Sequence, residues 1–241
     1  MTGLMEADAY TDLLTIAARA YDEMDDVLAT HGLLSCERES VKKSMNASLG
    51  FDSNLGKKTI EVVASRVLPF DVHTVGAAAW HQVLQRAPCR NGTNMPTKNG
   101  NRMDKDTITA SFTVTILAAT NAQFRVRQVF QRHVQPDSQV VIVSCRELVP
   151  ITFSGEPWTT GFKFQEQGYL IVRPSKTILE RFSVLQSCYI TSSHLLESMN
   201  DDEDPKVRAL VNFVLSATKT NVAMNHQAIE NKLLDEVLKC S

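Results

Sequence analysis

PKVRALVNFVLSATKTNVAMNHQAIENKLLDEVLK (205–239) carries apolar residues at helical spacing with no internal break. Val207, Leu210, Val211, Val214, Leu215 and Thr218 begin a broad stripe that continues through Val222, Ile229, Leu233 and Val237. Asp204 before Pro205 marks the start, and Asp201, Asp202 and Glu203 place negative charge at the helix N-terminus. A helix of about 35 residues is roughly 50 Å long. Each large apolar side chain it buries contributes ~1.5–3 kcal/mol, so the stripe predicts a partner surface.

The runs before it supply that surface. Residues 106–117, 121–134, 138–148, 160–173 and 177–191 read as strands with almost no helical signal between them. Short connections pair such strands antiparallel, and the sheet then needs one face covered. DTITASFTVTIL (106–117) sets the register most firmly. Ile108, Ala110, Phe112, Val114 and Ile116 point one way, and the intervening Thr and Ser residues point the other. Phe124, Val126 and Phe130 continue one parity, Pro136-Asp137 makes a turn, and Val140 and Ile142 extend the sheet.

Working outward, Tyr10, Leu13, Leu14, Ala17, Tyr21, Met24 and Leu28 predict a helix over 7–31, stopped by Gly32. Residues 40–51 and 57–68 read as two strands around a polar turn. Asp71 then caps a helix to about Gln85, with Val75, Ala78, Ala79, Gln82 and Val83 inward. The stretch 88–105 holds two Gly, two Pro and four Asn, and predicts a long flexible loop rather than a boundary. The expectation is one α+β domain over 1–241. In it a curved antiparallel sheet wraps a long C-terminal helix, with an additional N-terminal helix.

A net charge of −2 gives no general attraction to nucleic acid or anionic lipid. Arg125 and Arg127 lie opposite Phe124 and Phe130 in parity, which argues against a stacking platform for bases. No apolar run reaches membrane-spanning length, and MTGLMEADAY lacks the features of a secretory signal, so a cytoplasmic setting is expected. Five scattered cysteines without metal spacing predict reduced thiols.

In order, these elements resemble the helix-grip fold of START-type lipid-transfer domains. RVLPFDVHTVGAAAW (66–80) is similar to the strand-to-helix passage of START-like proteins of the oomycete type. VRQVFQRHVQPDSQVVIVSCRELVP (126–150) resembles the strand pair that precedes the family's Ω loop, and GFKFQEQGYLIVRP (161–174) the segment after it. The resemblance runs from about Tyr10 to Leu238 and implies binding of a lipid, sterol or other apolar molecule in an internal cavity. The Asn-rich 88–105 stretch departs from the family pattern. No match to known headgroup-binding residues is evident, so the ligand class stays open.

The cavity candidates are Phe112, Val114, Phe130, Ile142, Phe164, Leu170, Phe182 and Val184 on the sheet, with Val214, Leu215 and Thr218 on the helix. By parity Arg66, Gln128, Arg146, Glu166, Glu180 and Gln186 share the inner face and need partners or water. Arg146 and Glu166 are expected to form a polar end to the cavity; strand ends and bulges that expose them are the plainer reading. By resemblance Val149–Thr160 is the Ω loop, with Phe153 and Trp158 as a lid touching ligand or membrane, or simply packing beneath the loop.

Catalytic motifs are absent. Six histidines show no metal spacing and none lies in a recognised nucleophile motif. The expectation is therefore non-catalytic binding, and transfer, of an apolar ligand. It needs no metal or cofactor, engages no nucleic acid, and involves transient membrane contact. The alternative is a START-like domain whose core is filled by its own side chains and which serves as a protein-interaction or regulatory module with an unknown partner. A third reading is an enzyme that uses the same cup. It needs two or more polar groups converging inside.

Overall fold

The computed structural model describes residues 2–33, 44–52, 57–86, 102–117, 120–135, 139–159, 161–175, 182–195 and 204–239. Helices α1 (Thr2–Asp22) and α2 (Met24–Thr30) precede the hairpin β1 (Ser44–Asp52) and β2 (Lys57–Leu68). Helix α3 (Val72–Arg86) then leads to β3 (Arg102–Met103), β4 (Thr107–Leu117) and β5 (Asn121–Gln135). After these come β6 (Gln139–Phe153), β7 (Glu156–Pro157), β8 (Phe162–Pro174), β9 (Ser183–Leu195) and α4 (Pro205–Lys239). The strand order is β1-β2-β9-β8-β6-β5-β4-β3, with β7 on β6 and every pairing antiparallel.

Both faces of the sheet are covered. On one, Tyr10, Leu13, Ala17 and Leu28 of α1 and α2 bury against Val129, Val143, Tyr169 and Cys188. On the other, α4 joins strands from distant parts of the sheet in a single cluster that includes Ile60 and Val62 of β2 and Phe124 of β5. Farther along the same face, Ile229 and Leu233 of α4 pack with α3, Phe130 and Leu185. Gly76 lets α3 lie close to β6, since a Cβ there would stand 2.6 Å from a methyl of Val140.

The predicted caps form. The Asp71 carboxylate accepts hydrogen bonds from the backbone N–H groups of His73 and Thr74, both at 2.9 Å. Asp204 accepts from the Lys206 N–H at 2.8 Å. Gly32 has φ +69°, and Leu33 N–H donates to the Leu28 carbonyl while Gly32 N–H donates to Ala29, a Schellman end to α2. Gln186 Nε2 then donates to the Leu33 carbonyl at 2.8 Å and ties that end to β9.

Four expectations are corrected. The predicted helix 7–31 is two helices divided at Glu23. Residues 102–103 of the predicted loop pair with β4, while the rest of it up to residue 101 lies outside the described residues. Val149–Phe153 completes β6 instead of opening an Ω loop. Pro150 is accommodated because the β5–β6 register shifts beside it, between Gln123 and Phe124. Ser154 and Gly155, with φ of 55° and 82°, then turn the chain into β7 as a two-residue hairpin.

The fourth concerns β9. Cross-strand partners share a face, and β8 and β9 pair even with odd numbers, as in Gly168 with Tyr189. The inner residues of β9 are therefore Leu185, Ser187, Tyr189 and Thr191. Val184 and Gln186 face the other side, and Phe182 precedes the strand. Glu180 lies outside the described residues.

Candidate functional site

Between the inner sheet face, α3 and α4 lies a cavity of about 500 Å³. Strict alternation in β4 delivers Phe112 and Val114 to it, β5 adds Phe130, β6 adds Ile142, and β8 adds Leu170. From α4 come Val214 and Thr218, one turn apart. Arg146 and Glu166 line it as well, so nine of the predicted positions converge there.

The other candidates do not. Phe164 points to the same side but is fully buried, edge-on to Phe124 and to Phe162 at 6.5 and 5.0 Å between ring centres. Leu215 packs against the core beside the cavity. Val184 is excluded by the β9 register, and Phe182 precedes the strand and does not line the cavity. Phe153 and Trp158 are not a lid over the cavity. Phe153 is 5% exposed and packs edge-on to Phe213 and Trp158, and Trp158 packs on Phe162.

The polar end is a row crossing four neighbouring strands: Gln128 opposite Arg146, Arg146 opposite Glu166, and Glu166 opposite Thr191. Arg146 Nη1 stands 3.1 Å from Glu166 Oε1, and Thr191 Oγ1 donates to Glu166 Oε2 at 3.4 Å. The Arg146 guanidinium also lies 5.5 Å over the Phe130 ring. Glu166 is 5% exposed and sits mid-strand, so strand-end exposure does not account for it. The Arg146–Glu166 contact is an ion pair whose angles fall outside hydrogen-bond geometry. Arg146 Nε and Glu166 Oε1 thus have no hydrogen-bond partner among the described residues.

Sequence reasoning misses several lining groups. Tyr189 closes the floor, its ring lying where a Gly168 side chain would be. Burial pushes its phenol pKa up, while Arg146 pulls it down. Arg86, the last residue of α3, donates to Asn221 Oδ1 of α4 at 2.7 Å, and both line the cavity. Leu117 and Met224 line it too, yet are 78% and 57% exposed. The cavity therefore meets solvent between the end of β4 and the middle of α4. In the sequence the one mark of this mouth is Leu117, which interrupts the Thr and Ser parity of β4 at its end.

Away from the mouth, polar contacts clamp α4. Arg66 pairs with Glu230, and His226 Nε2 is 2.7 Å from Ser187 Oγ, with His226 2% exposed. His226 has no place in the apolar stripe read from sequence, and Val237, which does, is 49% exposed. On the opposite sheet face, burial pushes the Cys145 and Cys188 thiols up to about 12, which leaves them inert. Among the described residues no helix is long and apolar enough to cross a membrane.

No protein-family model and no curated protein matches the chain. Solved structures are distantly similar. A conserved protein from Geobacillus kaustophilus is 14% identical, with TM-score 0.42 over 73% of this chain and 95% of that one. An uncharacterised protein from Rhizobium leguminosarum is 10% identical, with TM-score 0.39 over 80% and 99%. One from Rhizobium loti is 11% identical, with TM-score 0.35 over 78% and 98%. Likeness at this level bears on neither ligand nor activity.

Proposed function

We propose that the protein is a START-like, helix-grip carrier that binds, and can transfer, an apolar ligand of the lipid or sterol class without chemical change. The observation that carries this reading is the cavity of about 500 Å³ with Phe112, Val114, Phe130 and Ile142 on its walls. Small-molecule sites run ~300–1,000 Å³, whereas a core filled by its own side chains leaves only small voids. Enclosure removes ligand surface from water, at ~25 cal/mol for each Å² buried. Exchange uses the mouth beside Leu117 and Met224, because release of α4 as a whole would break the Arg66–Glu230 and His226–Ser187 contacts. Native mass spectrometry of the purified protein, followed by organic extraction, tests the reading. A co-purifying apolar molecule is expected, and a mass equal to the bare chain under gentle conditions counts against it.

One observation favours a second reading. Arg146, Glu166 and Tyr189 converge in the cavity, as an enzyme using the same cup would require. Against it, the Glu166 carboxylate is engaged by Arg146 and Thr191, and burial keeps the Tyr189 phenol protonated. Extracted ligand returned chemically altered after incubation would favour the enzyme.

A further inference from the structure

Among the described residues, three charged side chains line the cavity: Arg86, Arg146 and Glu166. Two cations against one anion leave a balance of +1 in an enclosure whose remaining walls are largely Phe, Val, Ile and Leu. Glu166 answers Arg146. Arg86 donates to the neutral Asn221 amide at 2.7 Å, and no carboxylate among the described residues forms an ion pair with it.

We infer that the cavity takes an amphiphilic monoanion, its charged head held between Arg86 and Arg146 and its apolar body against Phe112, Val114 and Val214. This rests on the carrier reading above and narrows its ligand class. Arg86 is exposed at the mouth and Arg146 lies deeper, so an anion entering with an apolar tail meets one guanidinium at the rim and another on the wall. The Arg146 side chain keeps 18% of its surface open, and its guanidinium offers charged donors to such a head. The two guanidiniums also sense each other. Burial lowers the Arg86 pKa, Tyr189 opposes this, and the positive charge of Arg146 lowers it further. A negative group between them relieves that repulsion. A neutral sterol would leave it in place, and a cationic amphiphile would add to it.

The test is calorimetric titration of the full chain, near neutral pH, with decanoate, decan-1-ol and decylammonium, which share one apolar body. Charge-assisted hydrogen bonds predict decanoate binding about tenfold or more tighter than decan-1-ol, with decylammonium weakest. Arg86→Gln, at the mouth, is expected to narrow the acid-over-alcohol ratio. Glu166→Gln, which raises the balance, is expected to widen it. Equal affinities for decanoate and decan-1-ol overturn the inference and leave the carrier reading standing, as does a ratio that neither substitution moves. Failure of every probe to bind also overturns the inference, and the extraction of a co-purifying molecule then decides the carrier reading separately. The wild-type series decides the question even where a variant folds poorly.

Discussion

Tyr189 and Gly168 are cross-strand partners on β9 and β8, and the tyrosine ring occupies the space that a side chain at Gly168 would need. A Cβ there would stand 2.5 Å from the ring, well inside contact distance. The missing side chain thus lets an aromatic ring lie flat on the sheet as cavity floor. Gly168→Ala is expected to cost about 1–3 kcal/mol, the range for overpacking a tight site, read by urea unfolding. Wild-type stability in that variant would mean that the ring moves aside freely.

Arg146 and Glu166 should be strongly coupled. Removing the guanidinium with Arg146→Met leaves the buried Glu166 carboxylate with Thr191 as its remaining contact among the described residues. A loss of about 1–3 kcal/mol is expected, because a buried charge loses its partner. Arg146→Met with Glu166→Met should recover most of it. Additive losses in that double-mutant cycle would show the two groups to be independent.

The 149–159 stretch answers to packing rather than gating. Phe153→Ala should destabilise by about 3–5 kcal/mol, the range for a buried aromatic. Trp158 emission should ignore added vesicles, since its ring packs on Phe153 and Phe162. A vesicle-induced blue shift would restore the lid.

Acid should weaken the fold partly through His133, stacked on Tyr21 at 3.7 Å. Burial holds its pKa below the ordinary value of 6.5, against the opposing pull of Asp106 and Asp22. Between the two pKa values the unfolded chain binds more protons, so stability falls as pH drops through the unfolded value and levels off below the folded one. His133→Phe keeps a ring on Tyr21 and should flatten the melting-temperature slope between neutral pH and about 5. An unchanged slope would assign the acid sensitivity elsewhere.

What the sequence makes legible follows from how each element is solvated. β4 has one face toward water at Thr113 and Thr115, so its alternation is unambiguous and places Phe112 and Val114 correctly. β9 is buried on both faces, by α4 on one side and by α1 and α2 on the other, and its inner parity carries Ser187 and Thr191 while the outer one carries Val184, Cys188 and Ile190, so polarity does not mark the inner face. Val184 is misplaced for that reason, and Tyr189 goes unnoticed. The polar row needs the strand registers, which depend on connections rather than composition. Ser154-Gly155 is a turn signal in plain view, which the Ω loop implied by the family resemblance passes over.

Filling the cavity should separate ligand binding from folding. Val114 is half-buried on β4 and its side chain projects into the 500 Å³ space, with Phe112 and Ile116 also on the lining. A tryptophan there would occupy volume that a ligand needs, and the enclosure has room for the ring without displacing the sheet. Val114→Trp is expected to lose co-purifying ligand while keeping stability, with a gain of about 0.5–2 kcal/mol where the ring packs well. Val114→Ala enlarges the space and should retain binding, at a modest cost in stability. Both are read by ligand mass and by urea midpoint. A folded Val114→Trp protein that still carries its ligand would mean that the ligand sits somewhere other than this cavity.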